Sequence, residues 1–122
     1  MANYQPLGAL CPVGVDCSAA ASHECCADPC GLLAQGNPGN NELNYAAAMA
    51  DTLRAAVGGG FRPHALIDTG RNGNPRSRGG AEECAAWCNI RDAGCGALPT
   101  LRTADPELVD AYFWLKTPGE NR

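Results

Sequence analysis

Residues 41–57 read NELNYAAAMADTLRAAV, residues 58–60 read GGG, and residues 61–68 read FRPHALID. Asn40 or Asn41 can accept a free backbone N–H at the start of a helix, and Glu42 then lies in its first turn, near the positive end of the helix dipole. Leu43, Ala46, Ala47, Ala50, Leu53 and Val57 recur at helical spacing, which predicts one apolar stripe along residues 41–57. Three successive glycines stop the helix. His64-Ala65-Leu66-Ile67 follows as a short apolar run before a turn. A helix followed at once by an apolar strand predicts an αβ unit of a parallel sheet.

Moving outward, Asp68-Thr69-Gly70-Arg71-Asn72-Gly73-Asn74 leaves the C-terminal end of that strand, where parallel α/β folds gather their chemistry. Residues 71–81 are polar and carry Arg71, Arg76 and Arg78, which predicts an exposed loop. Residues 82–89 are expected to form a short helix bearing Cys84, Trp87 and Cys88. Pro99 to Pro106 is a connection. Residues 107–116 are rich in aromatic and apolar side chains, and their second half reads as a buried strand. On the other side, residues 1–40 form a cysteine-rich irregular segment with a short first strand near Tyr4. Pro12, Gly14, Pro29, Gly31, Gly36, Pro38 and Gly39 punctuate it. The division is therefore 1–40 and 41–122.

The 122 residues suffice for one domain. The formal net charge of -4 argues against nucleic acid, whose phosphates call for a basic surface. No apolar run approaches the roughly 18 residues of a membrane span, and residues 1–6 lack the basic start and apolar stretch of a secretory leader. Of the 55 hydrophobic residues 21 are alanine and 8 cysteine, which leaves 26 larger apolar side chains. Such a thin core needs disulfides, a metal or a partner surface. Eight cysteines favour an extracellular or other oxidising compartment. Cys25-Cys26 with Cys30 and His23 is the one plausible metal cluster, but it lacks paired C-x2-C spacing. Disulfides are expected instead, with no metal and no cofactor. Their connectivity is open, because eight cysteines allow 105 pairings.

Several segments in order resemble glycoside hydrolase family 6, the cellobiohydrolases and endoglucanases. Asn41-Glu42-Leu43-Asn44-Tyr45 is similar to a helix start in that family. Leu66-Ile67-Asp68-Thr69-Gly70-Arg71-Asn72-Gly73 is similar to its strand ending in Asp, Arg and Gly. Trp87-Cys88-Asn89 is similar to its Trp-Cys-Asn segment, and residues 93–100 to its Gly-x-Gly-x-x-Pro stretch. Residues 108–116 with Pro118-Gly119-Glu120 are similar to the strand carrying Trp-x-Lys and Pro-Gly-Glu. Ala2-Asn3-Tyr4 fits the strand before this region. The resemblance covers residues 2–5 and 35–120, and Cys11–Cys30 has no evident counterpart.

This resemblance implies the C-terminal portion of a distorted β/α barrel, α/β in class, that cleaves β-1,4-glucan with inversion. Inversion requires a carboxylic acid on the leaving oxygen and an opposing carboxylate or water network. The family's acid Asp lies upstream of the matched segments. Its Asp two residues past Pro-Gly-Glu falls on Arg122, and a guanidinium accepts no proton. The resemblance therefore implies that both catalytic carboxylates are missing, so no catalytic residue is assigned. Six residues remain as substrate contacts. Trp87 corresponds to a tryptophan that stacks on a glucosyl ring, an indole face suiting the apolar face of a sugar; the alternative is a core tryptophan. Asn89 belongs to the same segment. Lys116 and Glu120 match residues that hydrogen-bond hydroxyls, and Asp68 and Arg71 are expected at a pocket rim; the alternative for these four is solvated loop charge. Glu82 and Glu83 are adjacent on a helix and do not face each other. Cys88 corresponds to a family cysteine whose partner lies past residue 122, so here Cys84 or Cys95 is available to it. The expected function is a non-catalytic, structural or β-1,4-glucan-binding subunit of a larger assembly, or else a fragment of an active secreted cellulase. The expected partner is β-glucan or a protein chain covering open sheet edges.

Overall fold

Asn41 starts the helix as its residue type predicts. Its side-chain oxygen accepts the Asn44 N–H at 2.8 Å, and α1 spans Glu42–Val57. That bond satisfies a donor that any helix start leaves without an intrahelical partner. The helix ends at Gly58, whose φ of 67° suits a residue without Cβ and whose N–H returns to the Arg54 carbonyl at 2.9 Å. A computed structural model of the chain describes residues 10–11, 14–15, 17, 19, 22–36, 39, 41–77, 81–86 and 90–118. The expected strand near Tyr4 lies outside them.

After α1 comes β1, Ala65–Asp68, and much later β2, Val109–Phe113. The two pair in parallel, as the αβ pattern predicts, with Ile67 opposite Tyr112 and Asp68 opposite Phe113. The register slips by one between Ala65 and Leu66, which leaves Asp110 without an opposite residue. Such a bulge turns a side chain out of the ladder, and the Asp110 carboxylate meets the His64 Nδ1 at 2.9 Å on the surface. On the far side of β2, Thr100 exchanges both backbone hydrogen bonds with Tyr112 at 3.1 and 3.0 Å. The fold is thus a helix with a small parallel sheet, α/β in class and stapled by disulfides.

Ala46 and Ala50 of α1 pack with Ile67, Leu108, Val109 and Tyr112, and Leu10, Leu43, Ala47 and Ala65 flank this core. The apolar stripe expected along α1 is covered only in its first half. Leu53 is 41% and Val57 61% exposed, because the described sheet has two strands and offers that end of the helix nothing to pack on.

Three further expectations need correction. The buried strand forecast for the second half of residues 107–116 lies earlier, at Val109–Phe113, since the chain beyond it turns back to another partner described below. The polar loop 71–81 is not simply exposed: Arg71, Asn72 and Ser77 are buried, and Pro75–Ser77 form a 3-10 turn. The short helix expected over 82–89 is α2, Ala81–Ala85, and it carries Cys84 alone. Trp87, Cys88 and Asn89 lie outside the described residues. So do Arg78 and Glu120.

Disulfides join Cys11 to Cys25, Cys17 to Cys26 and Cys30 to Cys84. The last ties the cysteine-rich segment to α2 across a separation of 54 residues. It consumes both the Cys84 that sequence offered to Cys88 and the Cys30 of the metal cluster that sequence weighed and set aside for disulfides. Cys95 is free and exposed.

Candidate functional site

The C-terminal end of the sheet is organised by one carboxylate. Asp68 closes β1, is 1% exposed, and accepts three backbone N–H groups. Its Oδ1 takes those of Gly70 at 2.9 Å and Leu115 at 3.4 Å, and its Oδ2 takes that of Lys116 at 3.2 Å. An ionised carboxylate strengthens such bonds, and buried donors left without it would be costly. This is why the chain stops pairing as a strand after Phe113. Gly70 fits the same turn for want of a side chain: a Cβ there would lie 3.0 Å from the Lys116 carbonyl oxygen and 3.2 Å from Asp68 Oδ1.

A second loop, residues 93–97, lies against residues 69–74. Gly96 donates its N–H to the Thr69 carbonyl at 2.8 Å, and Asn74 donates to the Ala93 carbonyl at 2.8 Å. The Ala97 carbonyl accepts both the Thr69 hydroxyl at 2.7 Å and the Trp114 indole N–H at 2.9 Å. A Cβ on Gly73 would run into the Cys95 carbonyl, and one on Gly96 into the Asn72 amide. Two backbones therefore touch where only glycine allows it. Asn72 is 2% exposed, and both polar atoms of its amide are buried without a hydrogen-bond partner.

Of the six candidate substrate contacts, the structure joins Asp68 and Lys116 by a hydrogen bond at this end of the sheet, buries Arg71 in the turn that follows β1, and leaves Trp87, Asn89 and Glu120 undescribed. Asp68 and Arg71, expected on a rim, are instead 1% and 3% exposed, so neither is a solvated loop charge. Lys116 is half-buried. Sequence reasoning passed over Asn72 and Trp114. The close glycines at 73 and 96 were the available signal for the first, and the indole position next to the strand end for the second.

Clefts among the described residues open beside this loop contact and between the helix and the sheet. One of about 380 Å³ lies between the cysteine-rich loop and the glycine contact, lined by His23, Glu24, Asn72, Cys95 and Tyr112 among others. One of about 400 Å³ separates α1 from β1, with Tyr45, Met49, Leu53 and Leu66 on its walls. Burial raises the phenol pKa of Tyr112, and the nearby Asp105 adds to this; the hydrogen bond that the Tyr112 oxygen accepts from Ala104 N–H, at 2.7 Å, works the other way. Among the described residues the sulfurs of Cys11, Cys17, Cys25 and Cys26 lie within 4.8 Å of one another, but they are paired in two disulfides, and His23 uses its Nδ1 to accept the Cys25 N–H.

A disulfide-bonded α/β segment with backbone loops knotted at the C-terminal end of a parallel sheet is what fold and site define. The chain belongs to Glycosyl hydrolases family 6, which matches residues 14–121. The match takes in most of the cysteine-rich stretch for which the sequence alone suggested no counterpart. The chain is similar to 1,4-beta-D-glucan cellobiohydrolase C of Emericella nidulans, 40% identical over 94 residues that make up 77% of this chain and 19% of that protein. A probable 1,4-beta-D-glucan cellobiohydrolase C of Aspergillus niger is 40% identical over 92 residues, 75% of this chain and 19% of the relative. Exoglucanase 3 of Agaricus bisporus is 38% identical over 88 residues, 72% and 18% of the two chains. The chain thus spans about a fifth of the length of the curated relatives it matches. No solved structure matches it. No helix among the described residues is long and apolar enough to cross a membrane.

Proposed function

We propose that these 122 residues form a non-catalytic, glucan-facing segment of a family 6 barrel, in an extracellular or other oxidising compartment. The observation that carries this is the state of Asp68. It is the carboxylate at the end of β1, where a parallel α/β fold does its chemistry, and its oxygens are engaged by three backbone N–H groups. Geometry of that kind holds a loop and does not serve proton transfer to a glycosidic oxygen, which needs a carboxyl facing the substrate. The counterpart of the family's second carboxylate is Arg122. The segment's role is then to position Lys116, together with Trp87, Asn89 and Glu120, along a β-1,4-glucan chain. Its open sheet flank and the exposed half of α1 are the faces on which further barrel strands, in the same or another chain, would pack.

The test is retention on cellulose and hydrolysis of a soluble cello-oligosaccharide by the purified chain. Expected are retention, weakened by Trp87→Ala and Lys116→Ala, and no release of sugar. Sugar release would overturn the non-catalytic role, and equal retention of all three proteins would remove the glucan contact. The second reading is a fragment of an active cellulase. It is favoured by the names of the relatives and by the small share of their length covered here. Adding the missing barrel residues would then restore inverting glucan hydrolysis.

A further inference from the structure

We propose that Cys95 is a site of S-thiolation, and that the cleft beside it selects an amino-acid disulfide of the cystine class as the donor of the cap. Among the described residues Cys95 is free and exposed, while six other cysteines are locked in three disulfides. In an oxidising compartment, a thiol outside the disulfide framework is the one available for exchange. A lone thiol does not define a ligand. The cleft of about 380 Å³ into which it opens does, because Cys95 shares its walls with His23, Glu24 and Asn72.

Asn72 is the second observation. It is 2% exposed, and neither its amide oxygen nor its amide nitrogen has a hydrogen-bond partner. Buried polar groups are paired as a rule, so an amide idle at both ends on a cleft wall calls for a polar occupant. The amide lies against Gly96, which follows Cys95 and is itself part of the wall, at a point that a Cβ on Gly96 would fill. No hydrogen bond holds the amide, so it turns readily about Cβ–Cγ. It can offer a donor or an acceptor to a group bound at the thiol.

The other polar groups decide what the occupant carries. Glu24 is exposed, and its carboxylate stands in no ion pair among the described residues, so it suits an ammonium. His23 accepts the Cys25 N–H on Nδ1 at 3.2 Å, which leaves the proton of the neutral ring on Nε2. That N–H and the Asn72 amide NH2 suit a carboxylate. Leu10, Pro75 and Ala97 give an apolar wall for a methylene. A half-cystine carries ammonium, carboxylate, methylene and sulfur within one small group.

The step is thiol–disulfide exchange. The Cys95 thiol gives its proton to solvent, and the thiolate attacks one sulfur of the small disulfide. A new S–S bond joins Cys95 to one half. The old S–S bond breaks, and the other half leaves as a thiolate that takes up a proton. The small disulfide is the oxidant, and the three disulfides of the chain stay closed.

In the experiment the oxidised full chain is incubated with cystine, with uncharged hydroxyethyl disulfide and with dianionic dithiodipropionate. Intact mass follows the rate, and peptide mapping without reduction finds the site. Each rate is divided by that of a short cysteine peptide with the same reagent, which removes intrinsic reactivity. Expected is capping at Cys95, with cystine favoured over the uncharged reagent by roughly tenfold, the effect of one charge-assisted hydrogen bond. The dianionic reagent should be the slowest, because Glu24 repels it. Glu24→Gln and Asn72→Leu should each lower the preference for cystine. Glu24 is exposed, so its variant decides the matter even if Asn72→Leu fails to fold. Equal scaled rates, a preference unchanged in Glu24→Gln, caps on other cysteines, or Cys95 bonded to Cys88 or to a second copy would overturn the proposal.

Discussion

Asp68 and Asp110 show how little a residue type says before its partners are known. Asp110 meets His64 on the surface, with side chains 58% and 43% exposed, and such pairs contribute about 0–1 kcal/mol. Asp68 is buried and binds three backbone donors. Asp68→Ala should therefore destabilise the chain on the order of 3 kcal/mol, since the buried Gly70 N–H and the part-buried N–H groups of Leu115 and Lys116 all lose their acceptor. Asp110→Ala should cost no more than about 1 kcal/mol. Denaturant midpoints of the two variants check this, and equal losses would mean that Asp68 does not organise the strand ends. Tyr112 carries a pH dependence of definite sign. Its phenol pKa is raised above 10.0 in the fold, so the folded chain holds the proton more tightly than the unfolded one. That contribution is complete below the unfolded value and is lost as pH rises through the folded one. Thermal midpoints should fall in the alkaline range beyond pH 10 and, if this group is responsible, fall less steeply in Tyr112→Phe. Gly96→Ala should cost about 1–3 kcal/mol, because the new Cβ meets the Asn72 amide and the Thr69 carbonyl.

The disulfide between Cys30 and Cys84 is the covalent tie between the cysteine-rich segment and α2. Closing a loop of 54 residues reduces the entropy of the unfolded chain by an amount worth about 4 kcal/mol. The double variant Cys30→Ser/Cys84→Ser should lose stability of that order in chemical denaturation, with α1 retained by circular dichroism until the transition. Elements whose causes are local were legible in the sequence. The cap at Asn41, the stop at Gly58 and the apolar run before Asp68 lie within a few residues of what they control. The burial of Arg71 and Asn72 was not legible, because it follows from loop 93–97 folding over residues 69–74. Nor was the end of β2, which is set by a carboxylate more than forty positions upstream. Asp68 and Lys116 are joined by the hydrogen bond that the Asp68 carboxylate accepts from the Lys116 backbone N–H, a link that the side-chain chemistry of the pair does not announce. The cysteine partners could not be read, since pairing depends on which loops meet.

A two-strand sheet is marginal by itself in water and depends on what covers it. Here one helix covers it with two fully buried alanines, Ala46 and Ala50, which bring little apolar area. The second half of α1 and the side chains of Leu66 and Phe113 remain exposed. Three disulfides at about 2–4 kcal/mol each together contribute on the order of 9 kcal/mol, which is comparable with the total stability of about 5–15 kcal/mol typical of a folded domain. The oxidised chain should therefore hold its fold while the fully reduced chain does not. Near-ultraviolet circular dichroism at neutral pH measures the difference through Trp114 and Tyr112. Loss of that signal on reduction, with partial survival of the helical signal, is the expected result. A reduced chain that kept its aromatic spectrum would show that the contact of α1 with the sheet suffices, and that the cysteines serve something other than stability.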